Sequence, residues 1–216
     1  MDETPRITRI EAQKKRADRV SIYLDGEFAF GLSHEVLVRF GLAKGDVLLP
    51  ERLAEIQAAE SVQTAKAKAL ALISYRPRST AEIRQRLKEK DFLPQAIDQA
   101  VEDLTRVGLL NDRQFAESFI RTRQLQRPSG ARLLRLELRQ KGVAEADIDA
   151  ALDATLAEGD EEAAIRELAE KRRSQLPPDP RKAKKRLADY LLRRGFAWDA
   201  IRPVIDDFFK AGEKFY

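Results

Sequence analysis

The chain has 216 residues, with 40 Lys plus Arg against 36 Asp plus Glu, one His and no Cys. Its length and 43% apolar content can fill one large or two modest domains, which argues against wholesale disorder. Without Cys there is no disulfide framework, thiolate-bound metal or cysteine nucleophile, and a net charge of +4 is too small to name a partner. The first thirty residues hold no uninterrupted apolar run, and no segment approaches the roughly 18 apolar residues of a membrane span. A soluble cytoplasmic protein without a membrane partner is expected.

In chain order, Val20-Ser21-Ile22-Tyr23-Leu24 and Glu27-Phe28-Ala29-Phe30 alternate around Asp25-Gly26, the pattern of a β-hairpin. Ile7 to Ile10 can add a third strand. Ser33 opens a short helical run through Val36, Leu37 and Phe40 that Gly41 stops, giving a small β-rich cap at about 5–50. From Pro50 onward apolar residues recur at three- and four-residue spacing, with breaks at Pro77, Asp91 to Pro94, Asn111, Pro128, Gly142, Gly159, Pro177 to Pro180 and Gly195.

The helical part is internally repeated. Leu87, Lys90, Asp91, Phe92, Ile97 and Val101 align with Leu138, Lys141, Gly142, Val143, Ile148 and Leu152. They align again with Leu191, Arg194, Gly195, Phe196, Ile201 and Ile205. Each unit parses as three helices: 62–75, 80–90 and 94–106; 112–126, 130–141 and 144–157; 160–175, 180–194 and 197–210. Gly142 and Gly195 suit a left-handed position after the second helix, and Asp91 is a less comfortable equivalent. The expected fold is mainly α: an elongated array of three tandem three-helix, helix-turn-helix-like repeats (61–110, 111–157, 158–216) behind an N-terminal β-hairpin region (1–60). Besides the repeated positions and Ile83, Leu134 and Leu187, the core should include Leu70, Ile73, Leu104, Phe115, Phe119, Leu156, Ile165, Leu168 and Phe208.

Charge follows the same period. Around the second helices, 76–90 holds six bases and two acids, 121–139 six and one, and 171–186 eight and one. The third helices reverse the sign: 144–158 has five acids and no base. One reading is of solvated faces, each charge contributing little. The other is a positive track that follows a polyanion, through Arg84, Arg86, Lys88, Arg132, Arg135, Arg139, Lys182, Lys184, Lys185 and Arg186. A duplex-reading helix-turn-helix is a third possibility, opposed by the acidity of the helix after each turn. Single-strand binding would want stacking platforms, and of Tyr75, Phe92, Tyr190, Phe196 and Trp198 most are expected in the core.

Catalytic constellations are nearly absent. His34 precedes Glu35, but position 38 is Val, so no zincin helix exists, and Gly26 and Gly31 are followed by Leu32-Ser33 where a phosphate loop needs Lys-Ser/Thr. A non-enzymatic protein without cofactor or metal is expected.

The run Asn111-Asp112-Arg113-Gln114-Phe115-Ala116-Glu117-Ser118-Phe119-Ile120-Arg121-Thr122-Arg123, with Leu138-Arg139-Gln140-Lys141-Gly142-Val143, resembles the central signature of the RecX regulatory proteins. Ser79-Thr80-Ala81-Glu82-Ile83, Val107-Gly108-Leu109-Leu110 and Leu191-Leu192-Arg193-Arg194-Gly195-Phe196 extend the similarity over about 61–210, and the hairpin Tyr23 to Phe28 is similar to an extension in part of that family. Arg127-Pro128-Ser129-Gly130 departs from the family's simpler basic-Gly turn, as does Asp91 from its Gly. The resemblance implies a modulator of the RecA recombinase, and a monomer is expected. Such a protein lies in the groove of the RecA filament on single-stranded DNA, spans neighbouring protomers and inhibits strand exchange and ATP turnover. Arg121 and Arg123 then join the residues expected to face RecA or DNA, single-stranded and possibly duplex.

Overall fold

A computed structural model describes residues 4–14, 16–156 and 160–212. The expected second-to-third repeat boundary at 157–158, and Gly159, lie outside these residues. The chain divides into two compact units: the residues up to Arg78 with Glu82–Leu110, and Ser79–Ala81 with Asn111 onward. No helix among the described residues is long and apolar enough to cross a membrane.

The first unit opens with strands β1 (Ile7–Gln13), β2 (Arg16–Leu24) and β3 (Glu27–Ser33), antiparallel in that order. Asp25 and Gly26 both take positive φ in the tight turn, and Ile22 faces Phe30 across the hairpin. Alternation places Ile7, Val20, Ile22 and Leu32 on one buried face. Helix α1 (His34–Phe40) starts at Ser33, whose Oγ accepts from Val36 N–H, and ends at Gly41 in the left-handed region. Its Val36 closes the sheet's core with Leu42 and Leu48.

Helix α2 (Pro50–Tyr75) begins well before the expected 62, with Pro50 in its first turn, and residues 60 and 61 lie inside it. Residues 51–75 contain neither Pro nor Gly, so nothing interrupts it. Its first half gives Ile56 to the sheet core, and its second half gives Ala65 and Ala69 to a helical core with Ile83 and Leu87 of α3 (Thr80–Lys88) and Ile97, Val101 and Leu104 of α4 (Pro94–Arg106). Leu70, expected in that core, is exposed. It follows Ala69 by the ~100° of one helical step, and the smaller residue holds the buried side.

The second unit carries α5 (Asp112–Gln126), α6 (Ala131–Gln140) and α7 (Glu145–Thr155), then α8 (Asp160–Arg172) with a 3-10 turn at Arg173–Gln175, α9 (Pro180–Arg193) and α10 (Trp198–Gly212). Leu134, Leu138, Val143, Ile148 and Leu152 centre one core; Leu187, Leu191, Phe196, Ile201 and Ile205 centre the other. These are the residues that the repeat aligns. Phe119 and Leu156 are only partly buried against the first of these cores. Asp179 caps α9 by accepting from Arg181 N–H (2.9 Å) and Lys182 N–H (3.4 Å).

The two repeats of this unit meet backbone to backbone. Gly130 N–H donates to Arg194 O (2.9 Å), and Arg132 N–H donates to Gly195 O (3.2 Å). Gly195 has φ +85, and a Cβ there would overlap Leu133 N and Cβ; a Cβ on Gly130 would overlap Gly195 in turn. Within the same unit a Cβ on Gly142 (φ +73) would overlap the Ala81 Cβ, while Ser79 Oγ donates to Lys141 O (2.6 Å). Asp91 adopts the same left-handed backbone (φ 60) with an exposed side chain. Glycine at 142 and 195 thus answers to close approach as well as to φ.

Candidate functional site

The basic second helix of each repeat lies against its own acidic third helix, and much of the expected track is spent on that contact. Arg84 pairs with Asp98, and 51 residues later Arg135 pairs with Asp149 (2.6 Å) and with Glu145. Arg139 also reaches Glu145 (2.7 Å), and in the last repeat Lys184 reaches Asp206 (3.5 Å). Arg86 pairs with Glu89 (2.8 Å), Arg121 with Glu117 (3.3 Å), Arg123 with Glu137, and Lys182 with Asp179 (4.0 Å). Apart from the partly buried Arg123–Glu137 pair, these pairs are largely exposed and screened by water, so each adds little stability. Among the twelve candidates, Lys88, Arg132, Lys185 and Arg186 are exposed and form no ion pair among the described residues.

Hydrogen bonds donated by Arg139 and Arg135 hold the Glu145 carboxyl below the usual carboxylate range, and the bonds that Arg135 donates to Glu145 and Asp149 raise Arg135 in turn. A carboxyl lowered by folding stabilises the fold when ionised, and that stabilisation is lost as pH falls through its lowered value. A titration followed by carboxyl NMR should therefore give Glu145 a midpoint below that of a free glutamate side chain. A midpoint at the free value would show the α6–α7 pairs to be absent in solution.

The third repeat departs from the first two at this contact. Ala188 stands where Arg84 and Arg135 stand, and Arg202 where Asp98 and Asp149 stand. Trp198 replaces Pro94 and Glu145 and is 48% exposed, in an open groove of about 550 Å³ with Leu192, Lys185 and Arg202. Of the five aromatics weighed as stacking platforms, Phe196 is buried and Phe92 and Tyr190 pack partly buried against cores, but Tyr75 and Trp198 are exposed.

A second cavity, of about 340 Å³, lies in the second unit between the two repeats. Arg123, Arg127, Arg172, Arg193 and Arg194 line it with Tyr190 and Leu133, and no carboxylate does. Of these seven residues, only Arg123 belongs to the expected sites. The other arginines come from a loop, the end of α8 and the end of α9; Arg127 and Arg172 fall inside the basic runs 121–139 and 171–186, but nothing in those runs shows that they converge with Arg193 and Arg194. A larger groove in the first unit, about 850 Å³, mixes both signs: Arg39, Lys66 and Arg106 with Glu35, Glu55 and Asp103.

These features define a helical-repeat protein with cationic surfaces on its repeats and a small N-terminal antiparallel sheet. Four family models match in order: the regulatory protein RecX N-terminal domain over 5–48, then the first, second and third RecX three-helix domains over 65–104, 111–152 and 160–205. The chain is 33% identical over 203 residues to a regulatory protein RecX of Bacillus licheniformis, covering 94% of this chain and 77% of that one. It is 33% identical over 207 residues to that of Clostridium acetobutylicum, covering 94% and 96%. A crystal structure of a regulatory protein RecX superposes with a TM-score of 0.80 at 32% identity, covering 94% of this chain and 99% of that one. RecX from Lactobacillus salivarius gives 0.61 at 26% identity over 69% of this chain and 97% of that one. The chain belongs to the RecX family of regulatory proteins.

Proposed function

We propose that this protein binds the RecA filament on single-stranded DNA and inhibits its recombination and ATPase activity, acting by binding, as a cytoplasmic monomer without a cofactor. The observation that carries this reading is the repetition of a basic second helix in each three-helix unit of a RecX-family chain. Equivalent cations at a fixed period can meet equivalent groups on successive protomers or phosphates, so weak contacts add as avidity. The three repeats, divided at 61–110, 111–157 and 158–216, are then successive contact modules, with 1–60 as the cap that precedes them. Lys88, Arg132, Lys185 and Arg186 are the cations with charge to offer at once. Arg84, Arg135, Arg139 and Lys184 must exchange an internal carboxylate for an external anion, and Arg86, Arg121, Arg123 and Lys182 likewise.

The test is RecA-dependent ATP hydrolysis on single-stranded DNA with increasing protein. Inhibition that saturates is the expected result; unchanged hydrolysis at saturating protein overturns the reading. Arg132→Glu, at an exposed unpaired position, should weaken inhibition about tenfold, the scale of one charge-assisted contact, while leaving Tm unchanged. A sequence-specific duplex regulator would instead footprint a defined duplex without RecA. The carboxylates Asp98, Glu145, Asp149 and Asp206 on α4, α7 and α10 oppose that alternative.

A further inference from the structure

The geometry points to the arginine-lined cavity between the two repeats of the second unit as a seat for the phosphodiester backbone of single-stranded nucleic acid. This rests on the function proposed above only in its choice of polyanion; the pocket stands on its own charge.

Five guanidinium groups border about 340 Å³. Arg123 is neutralised by Glu137, yet its Nε is buried without a partner. Arg127, Arg172, Arg193 and Arg194 form no ion pair among the described residues. Arg194 is 8% exposed, and its Nε donates to the neutral Tyr190 hydroxyl (3.2 Å). The hydroxyl and the Tyr190 ring, 5.5 Å from Arg194 Cζ, offset part of the cost of burying this guanidinium, but its charge meets no counter-charge until an anion arrives.

The fold holds these cations together against their repulsion. The Gly130–Arg194 backbone bond fixes the end of α9 beside the α5–α6 loop. In that loop, Gln124 brackets Ser129, donating to its carbonyl (2.8 Å) and accepting from its N–H (2.9 Å), while Ser129 Oγ donates to Arg127 O (2.9 Å). Arg172 stacks on Tyr190 with its Cζ 3.9 Å from the ring centroid. The loop that departs from the simpler basic-Gly turn is thus the piece that brings Arg127 to the rim.

The lining selects the ligand. Leu133 is its sole aliphatic side chain, and one face of Tyr190 is already covered by Arg172, so a base or an apolar body finds little to bury against. The pocket's net positive charge calls for several anionic groups close together. A polynucleotide strand supplies one charge per about 3.4 Å of axis, at a geometry that guanidinium forks match in pairs. A protein segment would need consecutive carboxylates to do the same.

The full chain should be tested with a fluorescein-labelled oligo-dT by anisotropy over a salt series. Arg127→Ala and Arg193→Ala together, both at exposed side chains, should weaken binding at least tenfold. They should also lower the slope of log affinity against log salt by about 0.7 for each phosphate that is no longer neutralised. Lys44→Ala, exposed in the first unit, is the control and leaves both unchanged. Strand affinity and slope equal to the parent's overturn the assignment to nucleic acid. If RecA inhibition is nevertheless lost in the same double variant, the pocket takes an acidic protein segment instead. Reduced strand affinity supports the pocket even where RecA hydrolysis is unaffected by any variant or by the parent, a result that overturns the RecA reading alone.

Discussion

Replacing Gly195 with alanine is expected to destabilise the second unit by about 3–5 kcal/mol. A left-handed backbone costs an L side chain about 1–2 kcal/mol, and forcing a methyl into packed atoms typically costs a further 1–3 kcal/mol. Here the atoms in the way are Leu133 N and Cβ, at the start of α6. Separating them strains the bonds from Gly130 N–H to Arg194 O and from Arg132 N–H to Gly195 O, each worth about 1 kcal/mol. Urea unfolding of the full chain measures the loss, and a cost below about 1 kcal/mol, less than the backbone term alone, would mean that the two repeats do not meet at Gly195 in solution. Two comparisons separate the contributions. Gly130, at an ordinary φ of −74, carries the close approach without the left-handed strain, so Gly130→Ala should cost less than Gly195→Ala. Asp91→Gly relieves strain at an exposed site and should stabilise the first unit by up to about 1 kcal/mol.

Phe196→Ala should cost about 3–5 kcal/mol, the range for removing a buried aromatic ring. Phe196 is 1% exposed and packs among Leu187, Leu191, Ile201 and Ile205, with α8 supplying Ile165 and Leu168. Its backbone N–H donates to Leu191 O (3.3 Å), closing the α9 terminus that carries Arg193 and Arg194. Loss of the ring should therefore weaken oligo-dT binding as well as stability, whereas Leu192→Ala, at a half-exposed position, should change stability by no more than about 0.5 kcal/mol. Equal effects of the two substitutions would contradict the assignment of Phe196 to the core.

The apolar half of the architecture was legible in the residues alone. Leu87, Leu138 and Leu191 recur with Ile97, Ile148 and Ile201 because each repeat must bury the same stripe, and all six are buried. Leu70 escaped the pattern because a helix of alternating Ala and Leu has no unambiguous apolar face, and packing against α4 chose Ala69. The start of α2 escaped it because Leu53 and Ile56 serve a different core from Ala69 and Ile73, so no single stripe runs its length.

The charged half was legible only as composition. Runs at 121–139 and 171–186 announced cations, but a run does not say which side chains face a carboxylate: Arg135 and Arg139 found Glu145, and Arg132, three residues from Arg135, found none. The repeat period, the other helix boundaries and most core residues depend on local periodicity and turn chemistry, which the sequence states directly. The gathering of Arg123, Arg127, Arg172, Arg193 and Arg194 depends on the approach of Gly130 to Gly195, residues 65 positions apart whose only shared mark is the missing Cβ. Tertiary structure alone decided which cations were neutralised and which converged, because ion pairing falls off within a few ångströms and no sequence spacing encodes such a distance between separate repeats.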